Sequence, residues 1–264
     1  MKGLPVWGVA VLASKIYLLR HKEHDQVEVY DSITYRLQHF LFVSNARGFT
    51  DITSCEYFHC VYIGDDICEC IYRVDELGTV TRWNVNEKPE GLSVNAAHSV
   101  IITCRIACKI KEFSSHGDLL REIILPDDII NPWHAIQTRT GQFIVCHGSP
   151  GDAVHRVCML SADGKHIVHS HGGQHGSDTG QYNWPRHLAV DDNERVFVAD
   201  FLNHRVTLLS PTLEYARQVV SRDQLTWRPG RLCLDRQRHL FIAVRERHGD
   251  QTTYTAGRVV VLNI

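Results

Sequence analysis

Apolar and polar positions along the chain fall into short blocks of four to six residues, too short and too evenly alternating for a helical stripe. One block series is especially clear. Pro185–Val190 is apolar in the main and ends on Asp191. A tight polar turn follows, then Val196–Ala199 closing on Asp200, a polar corner, Val206–Leu209, and an outer stretch from Tyr215 to Val220. These are four strands joined by turns. The order recurs as Pro229–Leu234, Leu240–Ala243 and Val259–Val261, and upstream as Pro132–Ile136, Phe143–Cys146 and Val157–Leu160. Further back it appears as Gly91–Val94, Val100–Thr103 and Lys109–Ile110, then as Phe49–Ile52, Tyr62–Asp65 and Cys70–Tyr72. The chain opens with Val6–Val11, Ile16–Leu19 and Val27–Tyr30.

Trp7, Thr50, Glu90, Trp133, Arg186 and Gly230 occupy one equivalent position, at separations of 43, 40, 43, 53 and 44 residues. Four short strands per unit at that period are propeller spacing. The expected fold is all-β: one six-bladed β-propeller of four-stranded antiparallel blades spanning residues 1–264. The last blade shows three strands before Ile264. It is therefore either three-stranded or completed by polypeptide outside these residues, and an unsealed edge is an association hazard.

The best-formed unit resembles an NHL repeat. Asn183-Trp184-Pro185 with Leu188-Ala189-Val190-Asp191, followed by Val198-Ala199-Asp200 and Asn203-His204-Arg205-Val206, is nearly complete. Gly176-Ser177, Gly180-Gln181 and Tyr182 resemble the family's glycine-rich loop ahead of the inner strand. The likeness is partial at Trp133 and sparse elsewhere: the Asp200 position holds Asp65 in the second unit but Arg20, Cys104, His147 and Val244 in the others. The resemblance implies a binding module. NHL propellers serve in substrate recognition by ubiquitin ligases, and some bind RNA, although no RING or coiled-coil segment is present here.

In a four-stranded blade, the loops leading into the inner strand and those joining strands two and three share one face. The long irregular stretches Gly148–Val154, Ser170–Trp184 and Arg245–Gly257 all belong to those loops, so binding is expected on that face. Around the channel mouth there, one register holds Gly8, Asp51, Gly91, His134, His187 and Arg231. The preceding residues include Trp7, Glu90, Trp133 and Arg186. These eight side chains (Trp7, Asp51, Glu90, Trp133, His134, Arg186, His187, Arg231) are the candidate binding residues. Asp51, His134 and His187 are the candidate metal ligands, for zinc or calcium. The competing reading has the histidines bonding inner-strand backbone, and no cofactor is expected. Trp7, Trp133, Trp184 and Trp227 flank the inner-strand starts, either as wedges between blades or as anchors for a partner. His166, His169, His171 and His175 are read as a solvated loop.

Charge narrows the partners. Lys and Arg total 28 against 30 Asp and Glu, a formal net charge of −2, which gives no general attraction to DNA or a membrane surface. A protein or peptide partner is expected. Single-stranded RNA is the alternative, through Arg186, Arg228, Arg231, Arg245 and Arg247, opposed by Asp51, Glu90, Asp152 and Asp250. A metal-dependent hydrolase or lyase at the channel is the third reading; GxSxG and HExxH motifs are absent. The nine cysteines sit mostly in strand-like runs and read as buried free thiols in a cytoplasmic setting. A Cys55–Cys60 bridge would instead indicate an oxidising, extracellular one.

Overall fold

A computed structural model describes residues 4–20, 26–225, 227–246 and 256–264. Six antiparallel sheets stand around a central channel, as the repeat period requires. Blade 1 comprises β1 (Val6–Leu12), β2 (Lys15–Arg20), β3 (Gln26–Asp31) and β4 (Leu37–Phe42); blade 2 comprises β5 (Phe49–Cys55), β6 (Cys60–Asp65), β7 (Cys70–Asp75) and β8 (Val80–Asn84). Blade 3 holds β9 (Gly91–Val94), β10 (Val100–Cys104), β11 (Lys109–Phe113) and β12 (Leu119–Ile124). Blade 4 holds β13 (Pro132–Gln137), β14 (Phe143–His147), β15 (Val154–Leu160) and β16 (Ile167–Gln174). Blade 5 holds β17 (Pro185–Val190), β18 (Val196–Asp200), β19 (Arg205–Leu209) and β20 (Tyr215–Val220). A single helical turn, α1 (Arg222–Leu225), precedes blade 6, which has three strands: β21 (Arg228–Leu234), β22 (His239–Glu246) and β23 (Ala256–Asn263).

Second strands such as Cys60–Asp65 and Phe143–His147 are buried along their whole length because a blade packs against both of their faces. Their runs are continuously apolar for that reason. The core is accordingly a ring of six clusters, one in each gap between neighbouring blades. The acid at the corner of the repeat has a structural task. In blade 5, Asp200 is fully buried and accepts hydrogen bonds from the Asn183 amide, the Asn203 side chain and Arg205 Nε. In blade 2, Asp65 does the same with the amides of Arg47, Ile67 and Cys68. Each ties the loop that leads into its inner strand to the corner between strands two and three.

Two expectations need adjustment. The stretch from Ser170 is not all loop: β16 runs to Gln174, pairing Arg156 with Gly172 and His155 with Gly173. It can do so because Gly172 has a φ of +99°, and a Cβ there would lie 2.5 Å from the His155 carbonyl oxygen. His169 and His171 thus belong to a strand, and His171 stacks near Tyr182 and Tyr215. Of the stretch 245–257, only Arg245, Glu246, Ala256 and Gly257 lie among the described residues; Arg247 and Asp250 fall outside them. All nine cysteines are free thiols and six are buried, Cys55 and Cys60 facing each other across β5 and β6. No described helix is long and apolar enough to cross a membrane.

Gly91 begins the inner strand of blade 3, and a Cβ there would meet the Trp133 carbonyl oxygen at 2.5 Å and His134 Cδ2 at 2.9 Å. Since blade 4's backbone cannot yield locally, Gly91→Ala should destabilise the protein by about 1–3 kcal/mol. A thermal melt should show a lowered Tm; an unchanged Tm would mean the two blades are not in this contact.

Candidate functional site: the channel mouth

The shared inner-strand register forms a ring of side chains across the channel. Each reaches toward another blade's backbone. Asp51 Oδ2 accepts the Leu92 amide at 2.9 Å. His134 Nδ1 accepts the Leu188 amide at 3.4 Å, and His187 Nδ1 accepts the Leu232 amide at 3.2 Å. Across the ring, Arg231 Nε donates to Asp51 Oδ1 at 2.9 Å, and its Nη2 donates to the carbonyls of Thr50 and Glu90 at 3.0 and 3.2 Å. Asp51 and Arg231 are each 1% exposed.

Backbone chemistry sets both histidine tautomers. An amide can only donate, so Nδ1 of each ring is the acceptor and the neutral ring carries its proton on Nε2. His134 Nε2 donates to the Leu92 carbonyl at 2.9 Å, and His187 Nε2 stands 3.4 Å from Asp51 Oδ2. The two rings stack with centroids 3.7 Å apart. Burial pushes His134 well below the usual imidazole range, and the neighbouring His187 adds to this. Burial lowers His187 too, against the opposing pull of Asp51. For Asp51, burial acts upward, but Arg231 and then His187 outweigh it and hold the carboxyl well below the carboxylate range. The ring is one anion, one cation and two neutral imidazoles.

Ligand atoms of Asp51, His134 and His187 do lie within 4.8 Å of one another. Each imidazole's lone pair, however, is occupied by a backbone amide, and the carboxylate already faces a guanidinium. A cation at this point would have to displace two inter-blade hydrogen bonds and sit beside Arg231.

One step outward lies a second layer. The Arg186 guanidinium carbon is 4.7 Å from the Trp133 ring centroid, 4.8 Å from Trp184, 5.1 Å from Phe201 and 5.6 Å from Trp7. Arg245 also packs on Trp7, at 3.9 Å, with Nε donating to the Val6 carbonyl at 2.9 Å, which ties blade 6 to blade 1. Arg105 covers Trp133 at 4.8 Å and meets Glu90 at 3.4 Å. The loop 148–154 is pinned to this layer: Trp133 Nε1 donates to Ser149 Oγ, and Asp152 accepts from the Ser149 amide and from Asn131.

All eight sequence-derived candidates therefore converge on one end of the channel, in two layers. Asp51, Trp133, His134, Arg186, His187 and Arg231 are buried, while Trp7 and Glu90 are partly exposed. The arginines proposed for a positive sector are mostly inside: Arg186, Arg231 and Arg245 are 3%, 1% and 0% exposed. Arg105 and Ser149 escaped the sequence reading, because a loop residue's place over a tryptophan depends on how two blades meet. Beneath the histidines, a cavity of about 230 Å³ continues along the channel to Val94, Val190 and Leu234, at the opposite face.

No protein-family model matches this chain, and no curated protein sequence does. Solved structures do. A streptogramin B lyase aligns with a TM-score of 0.68 at 10% identity, covering 100% of this chain and 84% of its own. The virginiamycin B lyase of Staphylococcus aureus gives 0.66 at 10% identity, covering 98% and 85%. A chain of the nidogen/laminin complex gives 0.66 at 13%, covering 86% and 84%. At these identities the likeness establishes the six-bladed fold alone.

Two measurements follow from the ring. Arg231→Met leaves the Asp51 carboxylate buried without its counter-ion and should cost about 3–5 kcal/mol, with Asp51→Asn added in the same chain recovering part of it; equal loss in both variants would rule out this pairing. Because both histidines are depressed, the unfolded chain binds protons first as pH falls. Stability should be flat above about pH 6.5 and decline below it by about 1.4 kcal/mol per pH unit for each histidine. Urea unfolding at stepped pH should show that slope reduced in His134→Gln/His187→Gln.

Proposed function

We propose that this chain is a non-enzymatic binding propeller of NHL type, recognising a protein or peptide partner on the long-loop face. The observation that carries this reading is the rigid layer of arginine and tryptophan across that face. Its buried parts are locked by stacking and backbone hydrogen bonds. The half-buried edges of Trp7 and Trp184, with the partly exposed Glu90–Arg105 pair beside them, form its outer surface. Immobile aromatic edges beside an ion pair lose little entropy when a partner docks, which is the usual make-up of an interface hot spot.

The state of the ring supports binding over catalysis. Each histidine's Nδ1 lone pair already accepts a backbone amide, which leaves neither ring a free donor atom for a metal. Zinc or calcium at Asp51, His134 and His187 is accordingly not part of this proposal. Burial of Arg186, Arg231 and Arg245 weighs against RNA, since phosphate contact requires exposed guanidinium groups. The nine reduced thiols suit a cytoplasmic setting.

Exchange of Glu90 and Arg105 (Glu90→Arg with Arg105→Glu) keeps the ion pair and reverses the local charge pattern. In cross-linking capture with identification by mass spectrometry, partners bound by the wild-type chain should be lost at least tenfold, and retained by Asp192→Lys on the opposite face. An unchanged partner set would sink the reading. So would stoichiometric zinc or calcium surviving dialysis and disappearing in His134→Ala/His187→Ala.

A further inference from the structure

The cavity of about 230 Å³ that runs from the histidines to the opposite face has walls of one chemical character. The first strand of every blade ends its sheet, so one edge of it faces the channel without a strand partner. Main-chain hydrogen-bonding direction alternates along an antiparallel strand. At the ring, the amides that face the channel are those of Leu92, Leu188 and Leu232, and Asp51, His134 and His187 bond them. Two residues further on, in regular register, Val94, Val190 and Leu234 turn their own amides and carbonyls to the channel, and all three line the cavity. His187 also lines it. Its buried Nε2 stands 3.4 Å from Asp51 Oδ2 but is misaligned for a hydrogen bond to that oxygen.

Among the described residues no acid, lysine or arginine lines this cavity, and burial keeps both of its histidines neutral. A charged guest would lose its hydration there without gaining a counter-ion. A purely apolar one would strip the strand edges of hydrogen-bonding partners. What fits is compact, uncharged and rich in hydroxyls. The space equals about eight waters at roughly 30 Å³ each, the bulk of one sugar ring with its hydroxyl groups. The loops that continue from the cavity wall carry an aromatic platform on the same face. Tyr57 comes shortly after Ser54, and His98 shortly after Val94. Their rings stack with centroids 4.2 Å apart and planes 6° from parallel, and Phe58 braces His98 edge-on at 5.9 Å. Tyr57 is nonetheless 66% exposed, so its other face is open to solvent. An electron-rich ring held in this way is a ready surface for the C–H face of a sugar.

We infer that the end of the channel opposite the long loops is a carbohydrate site: one uncharged sugar ring occupies the cavity, hydrogen-bonded to the strand edges and His187 Nε2, and the adjoining part of the saccharide lies against Tyr57. Hydroxyl groups can repeat the hydrogen bonds of the waters they displace, so the exchange leaves no strand-edge group unpaired. The wall is main chain fixed within six sheets, and it loses little freedom when a guest enters. The site is separate from the long-loop face and does not depend on the reading given for that face.

Cys233 supplies the readout, because it lines the cavity and is only partly buried. Cys68 and Cys108, also partly buried, lie in corners between second and third strands on the long-loop face and serve as internal controls. The protein is labelled with methyl methanethiosulfonate in mildly alkaline buffer, and the modified cysteines are mapped by mass spectrometry. At least one of maltose, lactose and diacetylchitobiose should slow labelling of Cys233 fivefold or more, with Cys68 and Cys108 labelled as before. Saturation-transfer NMR with that sugar should show saturable binding, weakened at least tenfold by Tyr57→Ala at an exposed position that leaves folding intact. Gluconate, a charged sugar acid, should protect far less. The inference fails if none of the three sugars protects Cys233 at hundred-millimolar concentration, if Tyr57→Ala binds as tightly as the wild-type chain, or if gluconate protects equally well. It also fails if Cys233 stays unlabelled without sugar, since a cavity closed to a small reagent is closed to a saccharide. None of these outcomes bears on the long-loop face, whose variants are read separately.

Discussion

The buried pair between Asp51 and Arg231 is the constraint on which the closed ring depends. Its partners are 180 residues apart and each is 1% exposed. The pair spans the channel from blade 6 to blade 2, and Arg231 also bonds the Thr50 and Glu90 carbonyls in blades 2 and 3. A buried ion pair seldom adds much net stability, since desolvation offsets the attraction, but breaking one is costly. Its worth here is geometric: it admits only the arrangement in which blades 2 and 6 face each other across the channel. Such a contact also forms late, because it requires most of the loop entropy to be lost beforehand.

From that pair the rest of the channel mouth follows. With one carboxylate matched by one guanidinium, the two histidines are left to act as neutral wedges, each receiving an amide from the next blade. Gly91 has no side chain at the same register, and His134 occupies the space. Above them lies the arginine–tryptophan layer, and the cavity below runs along the channel toward the opposite face. The aromatic layer and the polar ring are thus stacked at one end of the channel. Together they give the long-loop face a surface of packed arginine and tryptophan.

Blade 6 departs from the pattern in having three strands. Arg245 binds the Val6 and Trp7 carbonyls near the channel, and Arg20 bonds the Leu4 and Gly257 carbonyls further out. These contacts hold blade 6 to blade 1 at the inner strands. The sixth cluster includes the partly buried Tyr30, Val259 and Val261.

The repeat, its six units and their strand order were legible in the residues themselves, as were the three strands of the last blade, with its completion left open. Strand alternation and turn chemistry are local properties, and a period survives even where a motif has decayed. The shared register around the channel was also legible, which is why Asp51, His134, His187 and Arg231 could be named together. Their partners were not. Whether an imidazole ligates a cation or accepts an amide depends on where a neighbouring blade's backbone lies to within an ångström. Spacing along the chain carries no such information. The same holds for Arg186, which as a sequence looked like a surface cation and in the fold is enclosed by three tryptophans and a phenylalanine. Composition and period determined the architecture because each blade's pattern is written within its own forty-odd residues; burial and bonding at the mouth were decided only when six blades converged on one axis.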